Sequence, residues 1–178
     1  MQLRAEQPHD HAAIREVHRR AFGASGAKVA TLVDALRSDD PAALSLVAEI
    51  GGDVVGHAMF SRSLLDAPRR LVAVQVLGPL GVRPDHQRRG IGGALVRHGL
   101  QLLGDRGVPL VFLEGDPRYY ARLGFTPGAA RGFRKPSLRI PDAAFQVVAL
   151  PAYEPEMTGT LVYSATFWDH DSVGLRDP

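Results

Sequence analysis

Leu-Gly-Val-Arg-Pro-Asp-His-Gln-Arg-Arg-Gly-Ile-Gly-Gly, residues 80–93, is the segment that decides how this chain folds. Its first part continues an apolar strand pattern, and its last glycines open an apolar pattern of helical period. Glycines let a backbone approach a ligand closely, and the first turn of a helix offers unpaired N–H groups at the positive end of its dipole. Together with Arg88 and Arg89, these features predict a binding site for a pyrophosphate group.

Two better-known phosphate motifs do not match this segment. A Walker loop continues from its second glycine into Lys and then Ser or Thr, whereas Ala94 and Leu95 follow the glycines here. A dinucleotide fingerprint requires a third glycine at the position of Leu95. From the residues alone, the remaining alternative is a glycine-rich loop at the start of an ordinary helix.

Length and composition predict a single domain over residues 1–178. The chain is 45% hydrophobic and 22% charged, which is typical of a globular protein. No apolar run approaches the roughly 18 residues of a membrane span, and the first residues lack the apolar core of a signal peptide. We therefore expect a cytoplasmic protein without a membrane partner.

Cysteine usage and charge exclude several kinds of site. The chain has no cysteine, so disulfides, thiolate metal sites and a cysteine nucleophile are excluded, and we predict no bound metal. The net charge of +2 comes from scattered residues with no basic helix, which argues against a nucleic-acid partner. A covalent catalytic intermediate on a cysteine sulfur is therefore excluded.

Hydrophobic periodicity predicts the element order β-α-α-β-β-β-α-β-α-β-β, an α/β sandwich around a mixed sheet. The last strand is predicted over residues 160–168, where Leu161, Tyr163, Ala165 and Phe167 alternate with other residues. An irregular loop at 127–141 is expected to line a substrate entrance. The other predicted strands cover residues 2–6, 44–50, 53–61, 71–82, 108–113 and 145–150, and the predicted helices follow Asp10, surround 29–36, begin at 91 and cover 116–123.

The hexapeptide Gln87-Arg88-Arg89-Gly90-Ile91-Gly92 resembles the Gln/Arg-x-x-Gly-x-Gly signature of the GNAT superfamily, the acyl-CoA-dependent N-acetyltransferases. It matches every specified position of that signature. The predicted element order is also that of the GNAT fold. With the neighbouring motifs, residues 77–127 are similar to the YhbS-like subgroup.

The resemblance implies an α/β, GNAT-like fold in which a mixed central sheet is flanked by helices and the fourth and fifth strands splay apart. Acetyl-CoA would be the co-substrate, with its pantetheine bound along the fourth strand. Gly78 and Pro79 suit a bulge at the splay, or alternatively an edge strand that tolerates proline. By this resemblance the cofactor-binding residues are Leu80, Gly81 and Val82 for pantetheine and Gln87, Arg88, Arg89, Gly90, Ile91, Gly92 and Gly93 for pyrophosphate.

Transfer of an acetyl group from a thioester to an amine calls for an acid and a base. Residues 120–125 are similar to the GNAT segment Tyr-x-x-x-Gly-Phe, which makes Tyr120 the candidate general acid. The alternative is that Tyr119 and Tyr120 only fill the core. His98 shares a helix stripe with apolar residues, so we interpret it as structural.

The base is less well defined, because many relatives carry a glutamate on the fourth strand and this strand offers only Gln75. Glu114, at the end of the fifth strand, is the second candidate catalytic residue. It is equally expected to cap the short helix or to pair with Arg118. Asp116, Glu49, His57 and a water relay remain alternatives.

The resemblance predicts an N-acetyltransferase that moves an acetyl group from acetyl-CoA directly to an amine of a small molecule. A protein lysine or N-terminal amine is the alternative acceptor. The alternative from another class is a non-catalytic acyl-CoA-binding sensor, favoured by the missing carboxylate. The sequence leaves open whether the chain is a monomer or a homodimer.

Overall fold

The computed structural model describes residues 1–175. Among these residues, no helix is long and apolar enough to cross a membrane. In chain order the elements are β1 (Gln2–Ala5), α1 (His11–Phe22), α2 (Gly26–Asp39), β2 (Leu44–Ile50), β3 (Asp53–Asp66), β4 (Leu71–Val82), α3 (Ile91–Asp105), β5 (Leu110–Glu114), α4 (Pro117–Tyr120), β6 (Thr126–Pro127), β7 (Phe133–Arg134), β8 (Phe145–Ala149), β9 (Gly159–Val162) and α5 (Ala165–Asp169).

The chain divides into two compact units, and β3, β4 and α3 each contribute residues to both. The first unit contains residues 1–61 and 77–99, and the second contains 62–76 and the chain from 100 onward. The prediction of one domain over residues 1–178 stays a prediction, and its last three residues lie outside the described ones.

In the first unit, β1, β2 and β3 form an antiparallel sheet with Leu3 opposite Ala48 and Leu46 opposite Ala58. Helices α1 and α2 form as the apolar spacing predicts, with Ile14, Val17, Leu32, Val33 and Leu36 buried. Gly99 of α3 lies against Phe60, since a Cβ there would come within 2.3 Å of the ring. Glycine therefore sets how closely α3 packs on β3.

Arg4 ties the start of this unit together. It donates to both carboxylate oxygens of Asp10 at 2.6 and 2.9 Å and to Glu49 at 2.8 and 3.0 Å. The Asp10 carboxylate, 3% exposed, also accepts from the backbone N–H of Gln7 at 2.7 Å. These hydrogen bonds, that of Arg4 first, lower the pKa of Asp10.

In the second unit, β4 pairs in parallel with β5, and β5 pairs antiparallel with β8, which pairs in turn with β6. β9 pairs with the end of β3 and with β7. Parallel and antiparallel pairs make the sheet mixed, as predicted. Phe112 anchors the core, with Phe133 and Phe145 at ring-centroid distances of 5.2 and 5.7 Å.

The predicted strand over residues 160–168 is wrong beyond Val162. Ser164 is extended, with φ −60° and ψ 152°, and α5 begins at the next residue. Residues four apart also share one face of a helix, and the Tyr163 and Phe167 rings lie 5.0 Å apart with their planes tilted by 35°. The alternation at 161–167 therefore fitted either period. The predicted irregular loop at 127–141 contains the two-residue strand β7 and the last residue of β6.

Candidate functional site

The segment between β4 and α3 is a loop that contains two left-handed residues. Arg88 and Gly90 both have left-handed backbone conformations, with φ of 61° and 79°, and α3 begins at Ile91. Left-handed residues beside a helix start turn successive N–H groups toward one point, a geometry that binds anions. A left-handed arginine costs about 1 kcal/mol or more, so this conformation is held by its surroundings. The side chains of Arg88 and Arg89 are exposed beside it.

Gln87 anchors this loop to β4. Its side-chain Nε2 donates to the carbonyl oxygen of Val82 at 2.9 Å. The backbone N–H of Arg83 donates to Val55 at 2.9 Å, and the Arg83 guanidinium pairs with Asp85 at 2.7 Å. The Gln87 side chain thus holds the loop against the strand.

Leu80, Gly81 and Val82 form the end of β4, with Gly81 buried and the other two partly exposed. A Cβ on Gly81 would lie 2.9 Å from His18 Nδ1. A side chain at position 81 therefore has no room unless α1 or β4 moves.

A buried chain of hydrogen bonds, which the sequence reasoning missed, leads to that histidine. His18 Nε2 lies 2.8 Å from His57 Nδ1, and His57 Nε2 lies 2.8 Å from Ser45 Oγ. Ser45 donates to Glu6 at 2.5 Å, and Arg37 donates to the same carboxylate. His57, an alternative base in the sequence reasoning, has both ring nitrogens occupied here. The signal available in the sequence for this buried chain was that Ser45 and His57 are polar residues within otherwise apolar strand segments.

Burial keeps both histidines neutral. It lowers the pKa of His18 to about 3, helped by the neighbouring His57 and Arg37, and it lowers the pKa of His57 too. Burial alone would raise the pKa of Glu6, but hydrogen bonds from His57, Arg37 and Ser45 outweigh it and lower that pKa. One ion pair therefore sits at the end of two neutral rings.

We expect these histidines to make the protein lose stability as the pH falls below about 6.5, where histidines of the unfolded chain take up protons. Since the folded pKa values are lower, the unfolded state binds more protons, and the free energy of unfolding should fall by about 2 to 3 kcal/mol per pH unit at the steepest. Glu6 and Asp10, whose pKa values are also lowered, add to the loss below about pH 4. Urea unfolding between pH 7.5 and 4.5 measures this slope.

His18→Leu should reduce that slope to about half, because one of the two differing groups is removed. His9→Ala is the matched control, since the His9 side chain is 69% exposed, and should leave the slope unchanged. An unfolding free energy that stays flat between pH 6.5 and 5 would contradict the prediction.

In the second unit, Tyr120 ends the short helix α4. The Asp116 carboxylate caps this helix by accepting from the backbone N–H of Arg118 at 2.9 Å. The Tyr120 ring packs against Tyr119 at 4.9 Å and Phe125 at 5.7 Å between ring centroids. A Cβ on Gly115 would come within 2.4 Å of the Tyr120 ring. Burial raises the pKa of Tyr120, so the phenol keeps its proton at neutral pH.

Glu114 holds the C-terminal segment of the same unit. Its carboxylate accepts from the Tyr163 hydroxyl at 2.9 Å and from the backbone N–H of Gly174 at 3.0 Å. Burial raises its pKa. The expected pairing with Arg118 is wrong, because Arg118 bonds to Asp116, which is two residues away and already caps the helix.

The chain matches the family model described as an acetyltransferase (GNAT) domain over residues 2–128. This chain belongs to the GNAT acetyltransferase family. It is 39% identical over 156 residues to the uncharacterized N-acetyltransferase YjhQ of Escherichia coli strain K12, a match that covers 84% of each chain. The predicted family and the enzyme class of acyltransferase are confirmed.

Two solved GNAT structures resemble the chain over nearly their whole length. One is the N-acetyltransferase YhbS of Escherichia coli in complex with CoA, with a TM-score of 0.85, 30% identity and coverage of 98% of this chain and 95% of that one. The other is a GNAT acetyltransferase of Brucella melitensis in complex with acetyl-CoA, with a TM-score of 0.73, 37% identity and coverage of 93% and 97%. The GNAT fold and the YhbS-like resemblance are thereby confirmed.

Proposed function

We propose that this GNAT protein transfers an acetyl group from acetyl-CoA directly to the amine of a small molecule. The observation that carries the proposal is the left-handed loop at Arg88 and Gly90 in front of α3. A loop with two left-handed residues in front of a helix N-terminus, flanked by two exposed arginines, suits a pyrophosphate. The bound CoA and acetyl-CoA of the two relatives support the same co-substrate.

In this proposal the backbone of Leu80, Gly81 and Val82 binds pantetheine, and a β4 peptide N–H polarises the thioester carbonyl. The proposed pyrophosphate-binding segment comprises loop residues Gln87, Arg88, Arg89 and Gly90 and the first turn of α3, Ile91, Gly92 and Gly93. Gln87 contributes by holding the loop on Val82, since its amide is engaged there.

Tyr120 and Glu114 are the proposed acid and base. The amine nitrogen attacks the thioester carbonyl, the C–N bond forms and the C–S bond breaks. Tyr120 gives its proton to the departing thiolate, and Glu114 takes a proton from the amine. The raised pKa of Tyr120 keeps its hydroxyl protonated at neutral pH until the thiolate departs, and burial raises the pKa of Glu114 in the direction that makes a carboxylate a stronger base.

The proposed acceptor is a small primary amine. A basic peptide substrate calls for a continuous acidic surface, and the longest acidic run in the sequence is Asp39-Asp40. A protein lysine or N-terminal amine is therefore the less favoured acceptor. A cytoplasmic location stays a prediction.

A thiol-release assay with acetyl-CoA tests the function. We expect amine-dependent release of CoA with at least one small primary amine, and slower release with lysine peptides and with peptides carrying a free N-terminus. A reaction without amine controls for thioester hydrolysis. Binding of CoA without turnover on any amine would replace the enzyme by the acyl-CoA sensor. Failure of CoA compounds to raise the melting temperature would overturn the co-substrate as well.

A further inference from the structure

The buried hydrogen bonds that end at His18 assign the proton on each ring. Ser45 gives its only hydroxyl proton to the ionised Glu6, so it must accept from Nε2–H of His57. The Nδ1 of neutral His57 then carries no proton and accepts from Nε2–H of His18. His18 is left as a neutral ring whose Nδ1 is unprotonated.

That free nitrogen is buried against β4. His18 is 0% exposed, and within residues 1–175 no hydrogen-bond partner reaches its Nδ1. An unpaired buried acceptor costs about 1–3 kcal/mol, which an apolar residue at position 18 would avoid. Packing alone therefore does not account for the histidine.

The ring edge limits where the end of β4 can lie. A Cβ on Gly81 would be 2.9 Å from Nδ1 and 3.0 Å from Cε1 of His18, so the glycine backbone lies close to the ring and has little room to move toward α1. The next residues are held by the hydrogen bonds from Arg83 to Val55 and from Gln87 to Val82. These three contacts fix the backbone over residues 81–83.

We propose that His18 is a positioning residue for acetyl transfer: its hydrogen-bonded ring fixes the β4 backbone at Gly81, between the two residues that would hold the acylated arm of the co-substrate. The assignment rests on the proposed function. A peptide N–H stabilises a developing oxyanion only when it is held at the right place. A ring fixed by hydrogen bonds keeps one orientation, whereas an aliphatic side chain has several rotamers.

A double-mutant cycle tests the contact. His18→Ala empties the space beside the strand, and Gly81→Ala drives a methyl group into the ring. Each is expected to lower kcat about tenfold. The Kd for CoA should stay within about threefold, because the proposed pyrophosphate-binding segment, residues 87–93, supplies most of the binding and is unchanged. In the double variant the methyl group no longer meets the ring, so the two effects should not multiply, and kcat should fall no further than in His18→Ala alone.

Ser45→Ala covers the case in which His18→Ala fails to fold. It removes the hydroxyl that accepts from His57 Nε2–H at 2.8 Å and leaves the Glu6 carboxylate at 3.5 Å as the remaining acceptor, so both rings are held less firmly. We expect kcat to fall severalfold with the Kd for CoA unchanged. Ile14→Ala is the matched control: it removes a fully buried side chain from the same helix, and should lower the melting temperature but leave kcat within about twofold.

Two results separate failure of this assignment from failure of the function. An active wild type in which His18→Ala and Ser45→Ala keep full kcat, or in which the effects of His18→Ala and Gly81→Ala simply multiply, refutes the positioning role alone. A wild type that binds CoA but turns over no amine refutes the proposed function, and the assignment with it.

Discussion

Replacing both Arg88 and Arg89 with alanine is expected to weaken CoA binding about 100-fold, since each charge-assisted hydrogen bond to a phosphate is worth about 1.5–3 kcal/mol and exposure reduces that value. Both side chains are exposed beside the left-handed loop, where they are free to meet an anion. Titration calorimetry measures the Kd. In the wild type that Kd should rise with salt, and in the double variant it should depend less on salt.

Arg97→Ala is the control for charge, because Arg97 is an exposed arginine on α3, the helix that follows the loop. It should change the Kd by less than about twofold. Dephospho-CoA, which lacks the ribose phosphate, shows whether the arginines bind that phosphate or the pyrophosphate. If they bind the pyrophosphate, the double variant should lose as much affinity for dephospho-CoA as for CoA. Equal loss of affinity for pantetheine, which has no pyrophosphate, would contradict the assignment.

Tyr120→Phe is expected to lower kcat at least about tenfold while leaving the Kd for CoA unchanged. The substitution removes one hydroxyl and keeps the ring that packs on Tyr119 and Phe125. A thiolate that leaves without a proton donor is a poorer leaving group at neutral pH. Steady-state thiol release gives kcat, and calorimetry gives the Kd.

Tyr119→Phe is the matched control, because it removes the same hydroxyl from the neighbouring ring. It should keep kcat within about threefold. If both variants lose activity equally, the effect is not specific to the Tyr120 hydroxyl, and the assignment of Tyr120 as general acid fails. If Tyr120→Phe keeps full kcat, the general acid is another group.

Features coded by neighbouring residues were predictable. The bounds of β4 and the start of α3 follow from an apolar run that changes period at Gly90, and both are as predicted. The helix cap at Asp116 lay within the predicted segment for the same reason. At Tyr163 and Phe167 the local pattern fitted both a strand and a helix. In the structure a helix begins at Ala165, and the two rings are in contact.

The histidine chain was not predictable, because it depends on pairing across the fold. Ser45 and His57 lie on adjacent strands, and His18 comes from a helix far away in the sequence. No spacing rule relates the three positions. Glu114 shows the same limit, since its hydrogen-bond partners are 49 and 60 residues further along the chain.

The hydrogen bond from Gln87 to Val82 constrains the length of the loop between them. It holds the left-handed turn at a set distance from the end of β4, so the parts of a bound ligand that contact these two places would also be a set distance apart. Surface loops usually tolerate insertions, but one extra residue here would break the hydrogen bond and change the distance between the end of β4 and the left-handed turn. Over evolution this loop is then free to vary in composition at its exposed tip and constrained in length.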